Sequence, residues 1–344
     1  MNNDNEVYDI CFLFIDLFLF NSINIHKKKI GVISLIHHQN IGNNLLKYAM
    51  FIILSKLGHR PYIIGTHAKK ANISFIKKNA NIRIIKRFSE IKEKDYDILI
   101  VNSDQTWRKW DYNFYNIAFL KFAEKWNIHK FVYGASIGLN IWEINKKDEI
   151  IAKRLLKNFS GISVRDIGLV NLVKNHLQLK ASFVLDPTLL INKRHYLKII
   201  KNYKISLNKL NYICIYNVNN SSKIYVIQRE ASIQLNSTIF NVNLNENEYI
   251  EKFIYGIYHC KGVITNSFHG TIFAIIFNKP FITFKTKDDW RLYTLKEIFR
   301  FKDRIINYGE TPNYLLLKKP LSFNRVLLED LKKKSYLFLK KNLN

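Results

Sequence analysis

From Lys28 onward, short apolar runs alternate with longer stretches whose apolar positions recur every three or four residues. The short runs are rich in Ile and Val and are bounded by polar or basic residues, the signature of strands buried on both faces. They predict strands at Ile30–Ile36, Tyr62–Gly65, Ile82–Ile85, Ile98–Asn102, Lys130–Gly134 and Gly161–Val164. A second series follows at Tyr212–Tyr216, Thr238–Asn241, Gly262–Thr265 and Pro280–Phe284. Between the first two strands, Leu45, Leu46, Ala49, Ile52, Ile53 and Leu57 repeat at helical spacing and stop at Gly58, a residue suited to ending a helix. Further helices are expected at roughly 221–234, 246–259, 268–278, 289–300 and Phe323–Leu339. Strands alternating with helical or irregular segments predict parallel sheets with helices on both faces.

The alternation is interrupted once. Val184-Leu185-Asp186-Pro187 reads as a domain exit, because Asp-Pro favours a turn, and a Lys- and Asn-rich connector follows it. A length of 344 residues also suits two domains. The expected division is 28–190 and 191–320, two α/β domains with a cleft between them, followed by a basic helix over 321–344. Residues 1–27 read as an extension outside the fold. Its apolar part, Val7–Phe20, is broken by Asp9 and Asp16 and lacks a basic leader and a cleavage site. It is also shorter than the ~20 residues that span a bilayer. A true start nearer Lys28 would explain it.

Composition adds a large charge: 54 Lys+Arg against 27 Asp+Glu, a net +27. Nucleic acid, an anionic membrane and a Lys-, Asn- and Ile-rich genomic background all fit that number. The basic residues are spread along the chain, with no zinc finger, RNA-recognition signature or compact basic cluster, so no specific nucleic-acid partner is expected. The Lys-rich C-terminal helix admits two placements, packed across the domains or lying on a membrane. Cys11, Cys214 and Cys260 are odd in number and far apart, which fits a reducing, cytoplasmic setting. The adjacent His37 and His38 point to opposite faces and do not form a shared metal site.

In open α/β sheets chemistry sits in the loops after strands, and four loops stand out. Asn40-Ile41-Gly42-Asn43-Asn44 opens a helix and could offer backbone N–H groups to an anion, or could simply be a tight turn. In Asn102-Ser103-Asp104-Gln105-Thr106-Trp107 an apolar strand ends in polar groups. Asp104 there could act as a base, accept from a sugar hydroxyl, or cap its own turn. Arg165, at the end of Gly161–Val164, could clamp a carboxylate or phosphate, or pair with Asp166 or another acid. Thr265-Asn266-Ser267-Phe268-His269-Gly270 places a histidine at a helix start, either as a general acid or base or as a buried structural imidazole.

Together with Tyr133-Gly134-Ala135-Ser136-Ile137-Gly138, Leu185-Asp186-Pro187-Thr188 and Asn278-Lys279-Pro280-Phe281, these segments resemble the polysaccharide pyruvyl transferase family. The resemblance runs from Lys28 to Phe284. It implies two Rossmann-like domains in a GT-B-like arrangement. It also implies transfer of pyruvate from phosphoenolpyruvate to a sugar of a surface polysaccharide or its lipid-linked precursor, as a cyclic ketal. Carried over by position, Arg165 would bind an acidic group of the donor and His269 would assist there. This chain departs from the pattern at Asn102, where a Gly is common, and at Leu46, where a Gln is frequent. It also has Ser267 where some relatives carry an Arg.

The chemistry sets its own requirements. The enol carbon C3 must gain a proton, two sugar hydroxyls must attack C2, and phosphate must leave. His269 suits the proton donor and Asp104 the base or acceptor. Arg165 suits an anion clamp, while Asn40, Gly42, Asn43, Ser103, Gln105, Ser267 and Gly270 line up as binding residues, with N–H groups at Asn43 and Gly270. No metal or resident cofactor is expected; phosphoenolpyruvate is the donor substrate. The expected partners are that donor and a saccharide acceptor. The expected location is the cytoplasm, with peripheral contact at the inner face of the cytoplasmic membrane as the role for the basic helix. The rival readings are a nucleotide-sugar glycosyltransferase, a nucleic-acid-binding protein and a non-catalytic family member.

Overall fold

Two all-parallel sheets carry the molecule. The computed structural model describes residues 26–34, 40–66, 74–108, 114–203, 211–218, 222–242 and 248–344. The expectations for residues 1–25, for the end of the first strand at 35–36, for His37 and His38, and for part of the connector lie outside these.

The first sheet contains β1 (Lys29–Ile33), β2 (Arg60–Thr66), β3 (Ile82–Ile85), β4 (Ile98–Val101), β5 (His129–Ala135), β6 (Gly161–Val164) and β7 (Ser182–Phe183). Their order is β3-β2-β1-β4-β5-β6-β7. Ile30 sits between Pro61 and Ile98 in register. The second sheet contains β8 (Tyr212–Tyr216), β9 (Thr238–Asn241), β10 (Gly262–Thr265), β11 (Phe281–Lys285) and β12 (Ile305–Asn307), in the order β12-β11-β10-β8-β9. Chain order reverses between β1 and β4 in one sheet and between β8 and β10 in the other. Those reversals open a crevice beyond the carboxyl ends of the strands, the position where such sheets bind ligands.

The helices that shape the site are α1 (Ile41–Lys56), α2 (Lys146–Leu156), α3 (Lys193–Ile199), α4 (Ser222–Leu235), α5 (Tyr249–His259), α6 (Phe268–Ile276), α7 (Trp290–Phe299) and α8 (Arg325–Leu343). Helix α1 begins at the Asn40 cap and is followed by Gly58 at φ +88, the left-handed residue that lets the chain turn back into β2. Its first ten residues are all buried. It lies between the halves, against α5, α6 and the short turn Pro187–Leu190. One continuous apolar cluster therefore runs from Ile30 on β1 through Ile53 to Phe273 and Phe281 of the second half.

Helix α8 leaves the second sheet and packs on the first. Phe338 meets the rings of Phe131 and Tyr133, each at 6.2 Å. Ser335 Oγ accepts from Leu185 N at 3.0 Å, and Tyr336 donates to Leu190 O at 3.0 Å. At Gly161 a Cβ would lie 2.4 Å from Asn342 Oδ1, so only glycine lets the helix approach β6 this closely. Of its basic run, Lys332 pairs with Glu329 and Lys334 with Asp330. Among the described residues no helix is long and apolar enough to cross a membrane.

Candidate active site

The crevice is a cleft of about 320 Å3 whose walls come from both halves. The first half contributes Asn40, Gln105, Arg108 and Gly138; the second contributes Asn266, Ser267, His269, Lys285, Asp289 and Arg291. Asn40 and Ser267 are helix caps. Asn40 Oδ1 accepts from Asn43 N at 3.0 Å, and Ser267 Oγ from Gly270 N at 3.2 Å. The N–H groups of Asn43 and Gly270, expected to be open to an anion, are thus occupied by their own caps. What the cleft receives from α1 and α6 is the positive end of each helix dipole.

Behind the cleft wall lies a buried string of polar side chains. Lys47 Nζ donates to Asn43 Oδ1, and Asn43 Nδ2 donates to Asp104 Oδ2 at 2.6 Å. Asp104 Oδ1 accepts from Arg165 Nη2 at 3.0 Å; Arg165 Nη1 bonds Asp186 Oδ2 and lies 3.4 Å from Ser103 Oγ. Asp186 caps the Pro187 turn, accepting from Thr188 N at 2.9 Å and Thr188 Oγ1 at 2.6 Å. His269 Nε2 stands 3.7 Å from Asp186 Oδ2, too far for a hydrogen bond, and is buried without a partner. The rest of the imidazole rests on α1. A Cβ on Gly42 would be 1.9 Å from His269 Nδ1, which is why that position has no side chain.

Electrostatics fix both carboxylates as anions. Burial alone would raise the Asp104 pKa, but Arg165, His269, the Asn43 amide and Gln105 N together hold it at about 2. Asp186 is likewise held well below the usual range: burial pushes it up, and the opposing pull of His269, Arg165 and Thr188 prevails. Asp104 has φ 110, a left-handed backbone rare outside glycine. Such strain costs roughly 1–3 kcal/mol and persists where the surroundings enforce it. Here the backbone is pinned by the bridge to Ala135, and the carboxylate by Arg165.

The structure thus brings His269, Asp104, Arg165, Asn43 and Ser103 into one cluster and places Asn40, Gln105, Ser267 and His269 on the cleft wall. Gly42 and Gly270 are packing positions, the latter against Thr265, where a Cβ would meet Oγ1 at 2.5 Å. Arg165 is not on the wall. Its side chain is 1% exposed, and it pairs with Asp104 and Asp186 rather than with Asp166. Asp166 instead accepts from Ser136 Oγ at 2.6 Å.

The wall carries cations that the sequence did not single out. Arg291 is bonded to Asp289 through Nη2 at 2.7 Å. The Gln105 amide, with its oxygen turned to Arg291, accepts from Nη1 at 2.7 Å. Phe268 lies between two guanidiniums, Arg165 at 4.9 Å and Arg291 at 5.7 Å from its ring centre. Lys285, at the end of β11, donates to the carbonyls of Thr286 and Lys287.

The family model for polysaccharide pyruvyl transferases matches residues 40–289, a span holding every residue of the buried cluster and the wall residues named above except Arg291. The chain belongs to that family. No curated protein matches it in sequence. Among solved structures it is similar to Arabidopsis thaliana UGT89C1 complexed with UDP-L-rhamnose, at 11% identity and TM-score 0.56, covering 93% of this chain and 99% of that one. It is also similar to the UDP-GlcNAc 2-epimerase of Methanocaldococcus jannaschii, at 16% identity and TM-score 0.51, covering 84% and 90%. At such identity the likeness concerns the fold, which is the GT-B arrangement of two Rossmann-like domains. Family membership makes the chain a transferase. Asp186, taken from the sequence only as a domain exit and a family-like motif, is the carboxylate that bonds Arg165 and Thr188 and lies 3.7 Å from His269 Nε2. Among the described residues no group of three or more His, Cys, Asp or Glu side chains could hold a metal ion.

Proposed function

We propose that this family member transfers pyruvate from phosphoenolpyruvate to a sugar of a surface polysaccharide or its lipid-linked precursor, forming a ketal. The observation that carries this reading is the division of charge. Arg108, Lys285 and Arg291 stand on the cleft wall beside His269, where Asp289, paired with Arg291, is the one carboxylate among the described lining residues, while Asp104 and Asp186 are held behind it. A small, highly charged anion suits that wall. Its carboxylate and phosphate would be held by Arg291, Lys285 and the positive ends of α1 and α6. Arg291 would do the work that some relatives assign to an Arg at the position of Ser267.

In this mechanism His269 gives a proton to C3 of the enol as the first hydroxyl oxygen bonds to C2, and then recovers the proton that hydroxyl loses. The C2–O bond to phosphate breaks as the second hydroxyl attacks, and that hydroxyl's proton leaves with inorganic phosphate. Asp186 steadies the imidazolium when it forms. Asp104, ionised down to about pH 2, is too weak a base for the hydroxyls and serves as a fixed anion that orients Arg165 and Asn43. No resident cofactor is required. The division into residues 28–190, 191–320 and 321–344 remains our reading of the chain. The exposed Lys333, Lys334 and Lys341 of α8 would draw the enzyme to anionic lipid at the inner face of the cytoplasmic membrane.

A second reading, a glycosyltransferase using a nucleotide sugar, is favoured by the fold shared with UGT89C1. Incubation with phosphoenolpyruvate and candidate saccharides decides between them. Acceptor-dependent phosphate release with a product heavier by one pyruvyl ketal is expected. Consumption of nucleotide sugars alone would establish the second reading.

A further inference from the structure

Lys47 is the one member of the buried string that the mechanism leaves without a task. It is 2% exposed, and its ammonium donates to the Asn43 amide rather than to a carboxylate. An ammonium is costly to bury unless the surroundings need its charge. Within the string, two carboxylates face one guanidinium, leaving one negative charge in excess. Lys47 can offset it from one end and His269 from the other. We propose that Lys47 is a positioning residue of the site: its charge, acting through Asn43, Asp104, Arg165 and Asp186, governs how firmly His269 holds the proton used in the reaction.

The surrounding charges leave this role to Lys47. The charged groups facing the string are Asp166 beside Arg165, and Arg291 from α7, which is paired with Asp289. The titratable neighbours are Tyr48 on α1, Tyr133 on β5, Tyr196 on α3 and Tyr249 on α5, all pushed above their ordinary pKa by burial and neutral in the working range. Burial brings the Lys47 ammonium down to about 7 against the attraction of Asp104, so its charge changes near neutrality. Lys47 also sets the Asn43 amide. With an ammonium on Oδ1, only the NH2 end can face Asp104.

The role in proton control rests on the pyruvyl-transfer reading for its rate consequences but not for its test. In the substrate-free protein, the ring signals of His269, assigned by their loss in His269→Gln, are titrated by NMR. Lys47→Met removes charge and donor; Lys47→Gln removes the charge but keeps a donor for Asn43. Both are expected to move the midpoint of the His269 signals to higher pH, because removing a nearby positive charge favours the imidazolium. An unmoved midpoint in Lys47→Gln overturns the proposal. The acid-base limb of turnover should move with the same sign. If no phosphoenolpyruvate-dependent turnover exists in any variant, the functional reading fails while the NMR result still decides the role of Lys47.

Discussion

The two halves of the site use charge in opposite ways. Loops after β4 and β6, with the Pro187 turn, bring Asp104, Arg165 and Asp186 together in the first half and satisfy them against one another out of solvent. Loops after β10 and β11 in the second half leave His269 Nε2 without a partner and set Lys285 and Arg291 on the cleft wall. On the proposed reading, the first half is a preset electrostatic support and the second meets the ligand. A charged residue in a family-like motif is therefore not automatically a ligand contact, and Arg165 is the case in point.

Substitutions can break that contrast. The largest effect belongs to the second half: His269→Ala should lower kcat by about 10²–10⁴-fold, the usual share of a general acid, with the fold retained by circular dichroism. Retained activity would remove the assigned role. In the first half, Asp186→Asn leaves Arg165 short of one counter-charge and should cost about 3–5 kcal/mol of stability, the range for breaking a buried ion pair, read from a urea midpoint. Arg291→Ala and Arg165→Ala form the sharpest pair. The first should raise the donor KM about 10- to 100-fold, as losing a charge-assisted bond of about 1.5–3 kcal/mol implies, with the melting temperature intact. The second should lower the melting temperature first. If Arg165→Ala only raises KM, the guanidinium reaches the ligand after all.

Acid should expose the same asymmetry. Asp104 and Asp186 have folded-state pKa values below their unfolded values, so their stabilisation is fully present above about pH 4. It is lost as pH falls from there through about 2. Urea midpoints should therefore fall over that window in the parent and fall less in Asp186→Asn; equal slopes would contradict the buried string. The smallest effect is at the rim, where Asn40→Ala removes the α1 cap and should cost about 1 kcal/mol, measured by thermal unfolding.

How much of this the sequence disclosed depends on the range of the interactions. Strands Ile82–Ile85, Gly161–Val164, Tyr212–Tyr216, Thr238–Asn241 and Gly262–Thr265 have the bounds the apolar pattern predicts, because flanking polar residues end each run. Strands Ser182–Phe183 and Ile305–Asn307 were not read as strands; they are too short to show a period and exist because a neighbour pairs with them. In the site, His269 and Asp104 were legible as polar residues interrupting apolar strand ends. Lys47 was not, since a lysine on an amphipathic helix normally faces water, and only the packing of α1 between two sheets buries it. Arg291 was one of 54 basic residues, and nothing local marks it. Its place is set by Phe268 and Gln105, both distant in the chain.

Helix α8 has a consequence for how the chain is made. Its ring contacts with Phe131 and Tyr133, its bonds to Leu185 and Leu190, and the Lys28 Nζ donation to Leu343 O at 2.5 Å all belong to the first half. During synthesis that half emerges early, yet the helix that covers β5 emerges only after the entire second sheet. The nascent first half must hold an uncovered apolar face for the time taken to translate the second, the condition under which partly made domains recruit chaperones or stick to one another.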